Sequence, residues 1–143
     1  MSLIIDRSEW VRGGASYLSV DGESELYNGH HMCCLGFLGR HCGLLRCDMY
    51  ANTYPSSIRG VLSKKWPSVL FEKNDAYYPS KPNPISKWEV TLARINDAQV
   101  DDAIREEWLI TGFKILMNID LSFVGGSPRP EKQLPIHQLL EKQ

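Results

Sequence analysis

The segment from Gly29 to Gly43 constrains the fold most, because it combines three of the four cysteines with three of the four histidines. A helix over residues 32–42 would end at Gly43, which adopts a left-handed conformation without strain. Free cysteine is among the most buried residue types. The segment therefore predicts a core helix, with one buried stripe at helical spacing formed by His31, Cys34, Leu35, Leu38 and Cys42.

The same segment also carries residue types found in zinc sites and as catalytic nucleophiles. A helix over residues 32–42 separates its two ends by roughly 10 Å or more, whereas Zn²⁺ needs ligands about 2.0–2.3 Å from one ion. A thiol at Cys33 or Cys34 would lie at a helix N-terminus, which favours the thiolate, but no orienting Asp or Asn is assignable. We therefore expect no metal, no cofactor and no catalytic residue, and keep a thiol- or zinc-dependent enzyme as an alternative.

Length and charge exclude several classes of protein. The 143 residues fit one domain, and the net charge of −1 provides no field that would attract nucleic acid or an anionic membrane. The N-terminus lacks a basic region followed by an apolar one, and no run of about 18 apolar residues occurs. We expect a cytoplasmic protein with no membrane contact and no direct contact with nucleic acid.

The C-terminal half contains the clearest helix and strand. Asp101 and Lys114 complement the dipole of a helix over residues 101–117, and alternation over 119–124 predicts a half-buried strand. For that helix we predict an apolar face inside and polar residues outside. The inner set includes Ile104, Trp108, Leu109, Phe113 and Ile115, and the outer set is Arg105, Glu106 and Lys114.

The remaining segments predict shorter elements. Asp6 precedes a helical turn that Trp10 anchors, and a hairpin is expected at Asp21-Gly22. Short helical pieces are expected over residues 57–62 and 66–71. Alternation over 88–94 favours a strand, with a short helix starting at Ser86 as the alternative. A proline-rich connector over 77–84 separates the halves of one domain. These elements predict a single α+β domain over residues 1–126, with two main helices on a small sheet, followed by a proline-rich tail over 127–143.

Aromatic and guanidinium side chains suggest a small-molecule site. Trp10 and Arg12 offer a stacking face and a positive charge, as do Tyr50, Tyr54 and Arg59. Asn96 and Asp97 follow an apolar segment, and their side chains can hydrogen-bond a base or a ribose. No glycine-rich phosphate loop or dinucleotide-binding turn is present. The candidate ligand-binding residues are Trp10, Arg12, His31, Arg59, Asn96 and Asp97.

Five short blocks give the chain a resemblance to a family of small proteins from bacteriophages and their bacterial hosts. That resemblance implies a role in countering a host defence, by sequestering a nucleotide-derived signal or by blocking a defence protein. Our hypothesis is a non-enzymatic, oligomeric binder of a nucleotide-like ligand, and the alternative is an inhibitor of a host defence protein. The blocks are Trp10-x-Arg12-Gly13, Met32-Cys33-Cys34-Leu35-Gly36, Ile95-Asn96-Asp97, Arg105-Glu106-Glu107 and Leu121-x-Phe123-Val124.

Overall fold

Two strands from opposite ends of the chain form the main sheet. The structure is a computed structural model that describes residues 1–13, 24–74 and 86–128. β1 (Ser2–Asp6) pairs in parallel with β4 (Asp120–Val124), and Leu3 lies opposite Leu121. Both leucines are buried, because alternate residues of a strand face the same side of the sheet. The sheet packs against helices, so the fold is a compact α+β domain as expected.

Four α-helices and several short 3-10 helices complete the described part of the domain. The N-terminal turn is a 3-10 helix over Arg7–Glu9, capped by Asp6 as predicted. Trp10 follows it and is buried. The other elements are α1 (Cys34–His41), α2 (Arg46–Met49), α3 (Trp88–Asp97) and α4 (Asp102–Met117), 3-10 helices over Pro55–Ser57, Gly60–Lys65 and Ser68–Phe71, and a small antiparallel pair, β2 (Lys73–Asn74) with β3 (Ser86–Lys87).

α1 is the predicted core helix, but it begins later than expected. The backbone of Met32 pairs with Glu9 and Val11 instead, through N–O distances of 2.9 Å on each side. Residue 32 is therefore extended, and the helix begins at Cys34. His31 precedes the helix and is exposed, so its predicted place on the buried stripe is wrong. The end of the helix is as predicted, since Gly43 has a φ of +96°.

The strand favoured over residues 88–94 is wrong, because this segment is part of α3; the alternative, a helix, is what the structure has. The helix contacts α1, α4 and the 3-10 helix over Ser68–Phe71, so it is covered on several sides. Consecutive residues of α3 are therefore buried. The alternation of apolar and polar residues in this segment does not correspond to one buried and one exposed face. Six residues of α3 are buried, namely Glu89, Thr91, Leu92, Ala93, Ile95 and Asn96.

α4 lies where the sequence predicts a helix, and Leu109 and Phe113 are buried as predicted, but other positions of the helix differ from the prediction. Arg105 is 0% exposed and Glu106 is 7% exposed, although both were expected outside. Trp108 is 43% exposed and Ile115 is 75% exposed, although both were expected inside. The reason is the supply of hydrogen-bond partners around the N-terminal half of the helix, described below.

Some predicted segments fall outside the described residues. These are the hairpin at Asp21-Gly22, the proline-rich connector over 77–84 and all but the first two residues of the tail over 127–143. Within the three described ranges, no helix has the length and apolar composition that crossing a membrane requires.

Candidate functional site

Four of the six candidate ligand-binding residues lie together in a buried polar cluster. We use this name for Trp10, Arg12, Asn96, Asp97, Asp102 and Arg105. The cluster joins the segment after β1 to the end of α3 and the start of α4.

Arg105 is the centre of the buried polar cluster. Its guanidinium donates hydrogen bonds to the carbonyl oxygens of Ile95, Asn96 and Ala98 at the end of α3, at 3.1, 3.0 and 2.7 Å. It also donates to the carbonyl oxygens of Gly13 and Val100 at 3.0 and 2.8 Å. The last carbonyls of a helix have no intrahelical partner and carry partial negative charge. Arg105 therefore neutralises a helix end in the interior.

Asp102 provides the counter-charge for two arginines. Its carboxylate accepts from Arg105 at 3.2 Å and from Arg12 at 2.8 Å, and all three side chains are at most 5% exposed. The Arg12 guanidinium also lies over the Trp10 ring, 4.2 Å from its centroid. A buried ion pair is stable only when its remaining polar groups are satisfied, and here backbone carbonyls satisfy them.

Asn96 uses both ends of its side-chain amide. The oxygen accepts from the Trp10 indole N–H at 2.7 Å and from the Cys34 backbone N–H at 2.9 Å. The nitrogen donates to the Val11 carbonyl and to the Asp97 carboxylate, each at 3.0 Å. Two acceptor and two donor positions exhaust the capacity of an amide. Asn96 therefore connects the segment after β1 to α1 and α3 without a polar atom left for a ligand.

The Trp10 ring is enclosed on two sides. Arg12 covers it as described, and the Phe123 ring lies 4.9 Å away between centroids. Asp97 accepts from the backbone N–H of Ser24 at 2.8 Å. Gly13 packs so closely on the Asp97 carbonyl that a Cβ there would overlap it. In this structure the buried polar cluster is a joint between segments of the chain.

The sequence analysis missed Asp102 and Arg105 as members of the buried polar cluster. Their spacing of three residues, which places both on one side of a helix, was the available signal. It is a weak signal, because the same spacing is common on solvated helix faces. Four of the five carbonyl groups that make burial favourable lie 5 to 10 positions before Arg105, and the fifth is that of Gly13. Only the folded path of the chain brings them round one guanidinium, so no local pattern reports them.

The two cysteines of the Cys-Cys pair are buried thiols. Cys33 is 1% exposed and Cys34 is 0% exposed. Burial raises the pKa of Cys33 to about 12 and that of Cys34 well above its ordinary value. A thiol acts as a nucleophile or metal ligand in its thiolate form, so neither group is activated near neutral pH. Among residues 1–13, 24–74 and 86–128, no three His, Cys, Asp or Glu side chains converge on a metal-sized site.

A second set of polar side chains is exposed, around the turn between α1 and α2. Lys65 donates to the Gly43 carbonyl at 3.3 Å, and Arg40 donates to the neighbouring Leu44 carbonyl at 3.0 Å. These bonds bring the end of the 3-10 helix over Gly60–Lys65 against the turn. We call the resulting set of exposed residues the basic surface: Arg40, His41, Arg46, Lys64 and Lys65.

The basic surface is almost free of negative charge from its own segment. Residues 40–65 contain five Lys and Arg side chains and one acid, Asp48. Asp48 is engaged in capping α2, because its carboxylate accepts from the Leu45 backbone N–H at 2.8 Å. Ion pairs within the described residues involve other cations, namely Arg7, Arg12, Arg105 and Lys114.

An exposed aromatic ring lies at the other end of α2. Tyr50 follows this helix and is 58% exposed. Its ring meets the edge of Tyr27 at 6.2 Å between centroids, and the Tyr27 hydroxyl donates to the Gly29 carbonyl at 2.8 Å. Parallel bridging between Tyr27 and Tyr50 fixes the backbone as well. Tyr50 is therefore held in place while much of its ring faces solvent.

The remaining two candidate residues belong to exposed segments near these groups in sequence. His31 is exposed, and its backbone N–H donates to the Asn28 side chain at 2.7 Å. Arg59 is exposed and precedes the 3-10 helix that ends at Lys65. Neither residue is part of the buried polar cluster.

Comparisons with protein-family models, with curated proteins and with solved structures find no match to this chain.

Proposed function

We propose that this protein binds a nucleotide-derived ligand without chemically changing it, and that the ligand sits on Tyr50 and the basic surface. The observation that carries the proposal is an exposed aromatic ring, held by its neighbours, directly after the short helix that begins with an exposed arginine. Sequestration of a signal, which the resemblance of the sequence implies, is the form of binding that we favour.

Tyr50 supplies the stacking face. An aromatic ring held by its neighbours loses little conformational entropy when a base stacks on it. Tyr27 and the backbone bridge hold Tyr50, as described above. Stacking between an aromatic side chain and a base contributes about 1–3 kcal/mol.

Arg46 and the two lysines supply the phosphate contacts. Arg46 begins α2 and Tyr50 follows its last residue, so the two lie about 6 Å apart along the helix axis at 1.5 Å per residue. This spacing suits a base on the ring and a phosphate on the guanidinium, which pairs phosphate oxygens bidentately. Lys65 adds positive charge at the α1–α2 turn, and its neighbour Lys64 is exposed as well.

Isothermal titration calorimetry at low salt tests the proposal with ADP, ADP-ribose and cyclic mono- and dinucleotides as probes. We expect at least one probe to bind. After incubation with the protein, chromatography should recover that probe chemically unchanged. Tyr50→Leu should weaken binding by about 5- to 150-fold, which corresponds to the stacking contribution. Raising the salt concentration should weaken binding further, because exposed charges are screened.

The double variant K64Q/K65Q tests the charge contribution, and Lys73→Gln is its matched control. Lys73 is an exposed lysine on β2, outside the basic surface. We expect the double variant to bind more weakly and the control to bind as the natural protein does. The proposal is overturned if no probe binds, if Tyr50→Leu binds normally, or if only a single-stranded oligonucleotide binds.

A further inference from the structure

α4 carries an apolar stripe on the side that faces solvent. The stripe consists of Ile104, Trp108, Thr111 and Ile115, at the spacing i, i+4, i+7 and i+11. At 3.6 residues per turn these four positions fall within about 60° of one another. Ile104, Trp108 and Ile115 are 42%, 43% and 75% exposed. Contiguous exposed apolar surface on a soluble protein marks an interaction site.

The opposite side of α4 is committed to the core. Arg105, Leu109 and Phe113 are each 0% exposed, and Arg105 is fixed by the five carbonyls of the buried polar cluster. The helix therefore cannot rotate to bury the stripe against the part of its own chain that the structure describes. Burial of the stripe requires another surface.

We propose that this surface is α4 of a second copy, so that the protein forms a two-fold symmetric dimer through antiparallel pairing of its α4 helices. The stripe has the spacing of the a and d positions of a coiled coil, with Ile104 and Thr111 at d and Trp108 and Ile115 at a. Antiparallel pairing centred on the stripe places Ile104 opposite Ile115 of the second copy. It also places Trp108 opposite Thr111, so a large side chain meets a small one.

The charges beside the stripe favour the antiparallel arrangement. Glu107 and Lys114 are exposed, lie one heptad apart and occupy the same flank of the stripe, the g positions. In an antiparallel pair this flank of one helix faces the same flank of its partner, which brings Glu107 of each copy near Lys114 of the other. In a parallel pair, Glu107 would instead face Gly112. A two-fold interface requires such self-complementarity.

Lys114 can serve both its own chain and the second copy. It already donates to the Asp120 carboxylate at 2.9 Å, with 54% of its side chain exposed. An ammonium group has three donors, so a second carboxylate can be accommodated. The residues that form the stripe are separate from Tyr50 and the basic surface, so the dimer is independent of the proposed ligand site.

Sedimentation equilibrium over about 1–500 µM protein tests the dimer on the full chain without ligand. We expect a reversible monomer–dimer equilibrium, because the stripe is short compared with a standard interface of about 1,600 Å². Trp108→Glu should weaken dimerisation by at least tenfold. Val61→Glu is the matched control, since Val61 is an apolar residue with 82% exposure on another segment. The control should dimerise as the natural protein does.

Charge reversal distinguishes the antiparallel pair from other contacts. Glu107→Lys and Lys114→Glu should each weaken dimerisation, and the double variant should restore it, because both inter-copy pairs are re-formed with exchanged signs. Circular dichroism checks that each variant is folded. The proposal is overturned if the protein is monomeric throughout, if Trp108→Glu dimerises normally, or if the double charge reversal dimerises no better than the single variants.

Discussion

α1 and α4 are both packed on the core, but α1 buries apolar residues whereas the N-terminal part of α4 buries charged ones. α1 buries Cys34, Leu35 and Leu38, each 0% exposed, as its apolar pattern predicts. α4 buries Asp102, Arg105 and Glu106 near its N-terminus, while Trp108 and Ile115 face solvent. Hydrophobic patterning alone therefore describes α1, but for α4 it fails at these charged and exposed apolar positions.

The difference lies in what each helix meets in the interior. α1 packs on apolar side chains and on Leu26, whose backbone approaches Gly36 closely. α4 begins against the end of α3, where Arg105 accounts for several carbonyl groups that have no intrahelical partner. Burying a charge is costly unless it is paired and hydrogen-bonded, and this end of α3 provides those partners. The carbonyl groups at the end of one helix can therefore stabilise a charged residue of a neighbouring helix in the core.

Glu106, the residue after Arg105 on α4, is a second charged residue that is buried together with a partner. Its carboxylate forms two hydrogen bonds with the Arg7 guanidinium, at 2.7 and 2.8 Å. This pairing holds the pKa of Arg7 above its ordinary value. Arg7 directly follows β1, so the ion pair fastens the first strand to α4.

Replacing the buried arginine of α4 should destabilise the protein more than any other substitution considered below. Arg105→Leu removes the hydrogen bonds to five carbonyl oxygens and leaves them and Asp102 without that partner in the interior. Breaking a buried pair costs about 3–5 kcal/mol, and we expect a loss of this size in the free energy of unfolding. Urea denaturation followed by circular dichroism measures it.

The control for this variant is the same substitution at an exposed arginine. Arg46→Leu on α2 should change the free energy of unfolding by about 0.5 kcal/mol or less, as surface substitutions usually do. Equal losses in the two variants would show that the charged side of α4 is not special, and the comparison between the helices would fail.

The sequence predicted the fold class and the approximate position of α4, α1 and β4. It did so because these elements have strong apolar spacing or clear end signals, such as Gly43 after α1. It did not predict β1, which gains its partner from residues more than a hundred positions away. It favoured a strand over a helix for α3, because a helix covered on several sides has no exposed stripe to reveal its period.

The candidate site was less predictable than the fold. Trp10, Arg12, Asn96 and Asp97 were selected together, and the structure places them together, but their contacts are with one another and with the backbone. A residue type indicates which interactions a side chain can form. It does not indicate whether a ligand or the protein itself supplies the partner. Tyr50 is exposed because of how Tyr27 and Gly29 position it, which depends on contacts between segments.

A second substitution tests whether α1, like α4, depends on a buried polar group, which in this helix is the Asn96 side chain. No local side chain caps α1, and the Cys34 backbone N–H donates to Asn96 instead. Asn96→Asp replaces the donating nitrogen with an oxygen that faces the Val11 carbonyl and the Asp97 carboxylate. Leaving buried groups unsatisfied costs about 1–3 kcal/mol, and more for charged groups. We expect a loss of about 2–3 kcal/mol in urea denaturation.

Asn28→Asp is the matched control for Asn96→Asp. The Asn28 side chain accepts from the backbone N–H groups of His30 and His31 through its oxygen, which an aspartate retains. The side chain is also exposed. We expect its free energy of unfolding to stay within about 0.5 kcal/mol of the natural protein. A loss as large as that of Asn96→Asp would contradict the role given to the buried amide.

A smaller effect compares the packing of the two helices through one glycine in each. A Cβ on Gly36 of α1 would overlap the carbonyl oxygen of Leu26, which is backbone and cannot rotate away. A Cβ on Gly112 of α4 would lie 3.4 Å from the nearest atom, Cδ2 of Leu92. Overpacking a core costs about 1–3 kcal/mol, whereas alanine favours a helix by about 1 kcal/mol over glycine.

Gly36→Ala should therefore destabilise the protein by about 1–2 kcal/mol, and Gly112→Ala should leave it unchanged or slightly more stable. Thermal unfolding followed by circular dichroism compares the two variants under identical conditions. If Gly112→Ala were the more damaging of the two, α4 rather than α1 would be the tightly packed helix.

The smallest effect concerns the apolar environment at the start of α1 and appears only at alkaline pH. Burial raises the pKa of Cys33 to about 12, above its ordinary value of 9.0. Between these two values the folded chain keeps the thiol proton and the unfolded chain releases it, so the unfolded state binds fewer protons. The free energy of unfolding must then fall as pH rises, by about 1.4 kcal/mol per pH unit for this group.

Urea denaturation at pH 8, 9 and 10 measures this contribution as a difference between variants. Between pH 9 and 10, Cys33→Ala should lose less stability than the natural protein, because the alanine variant lacks the titrating thiol. Cys47→Ser is the control, since Cys47 is exposed, and its pH dependence should match that of the natural protein. If Cys33→Ala lost stability as steeply as Cys47→Ser, the thiol would be solvated in the folded state. The start of α1 would then share the polar character found at the start of α4.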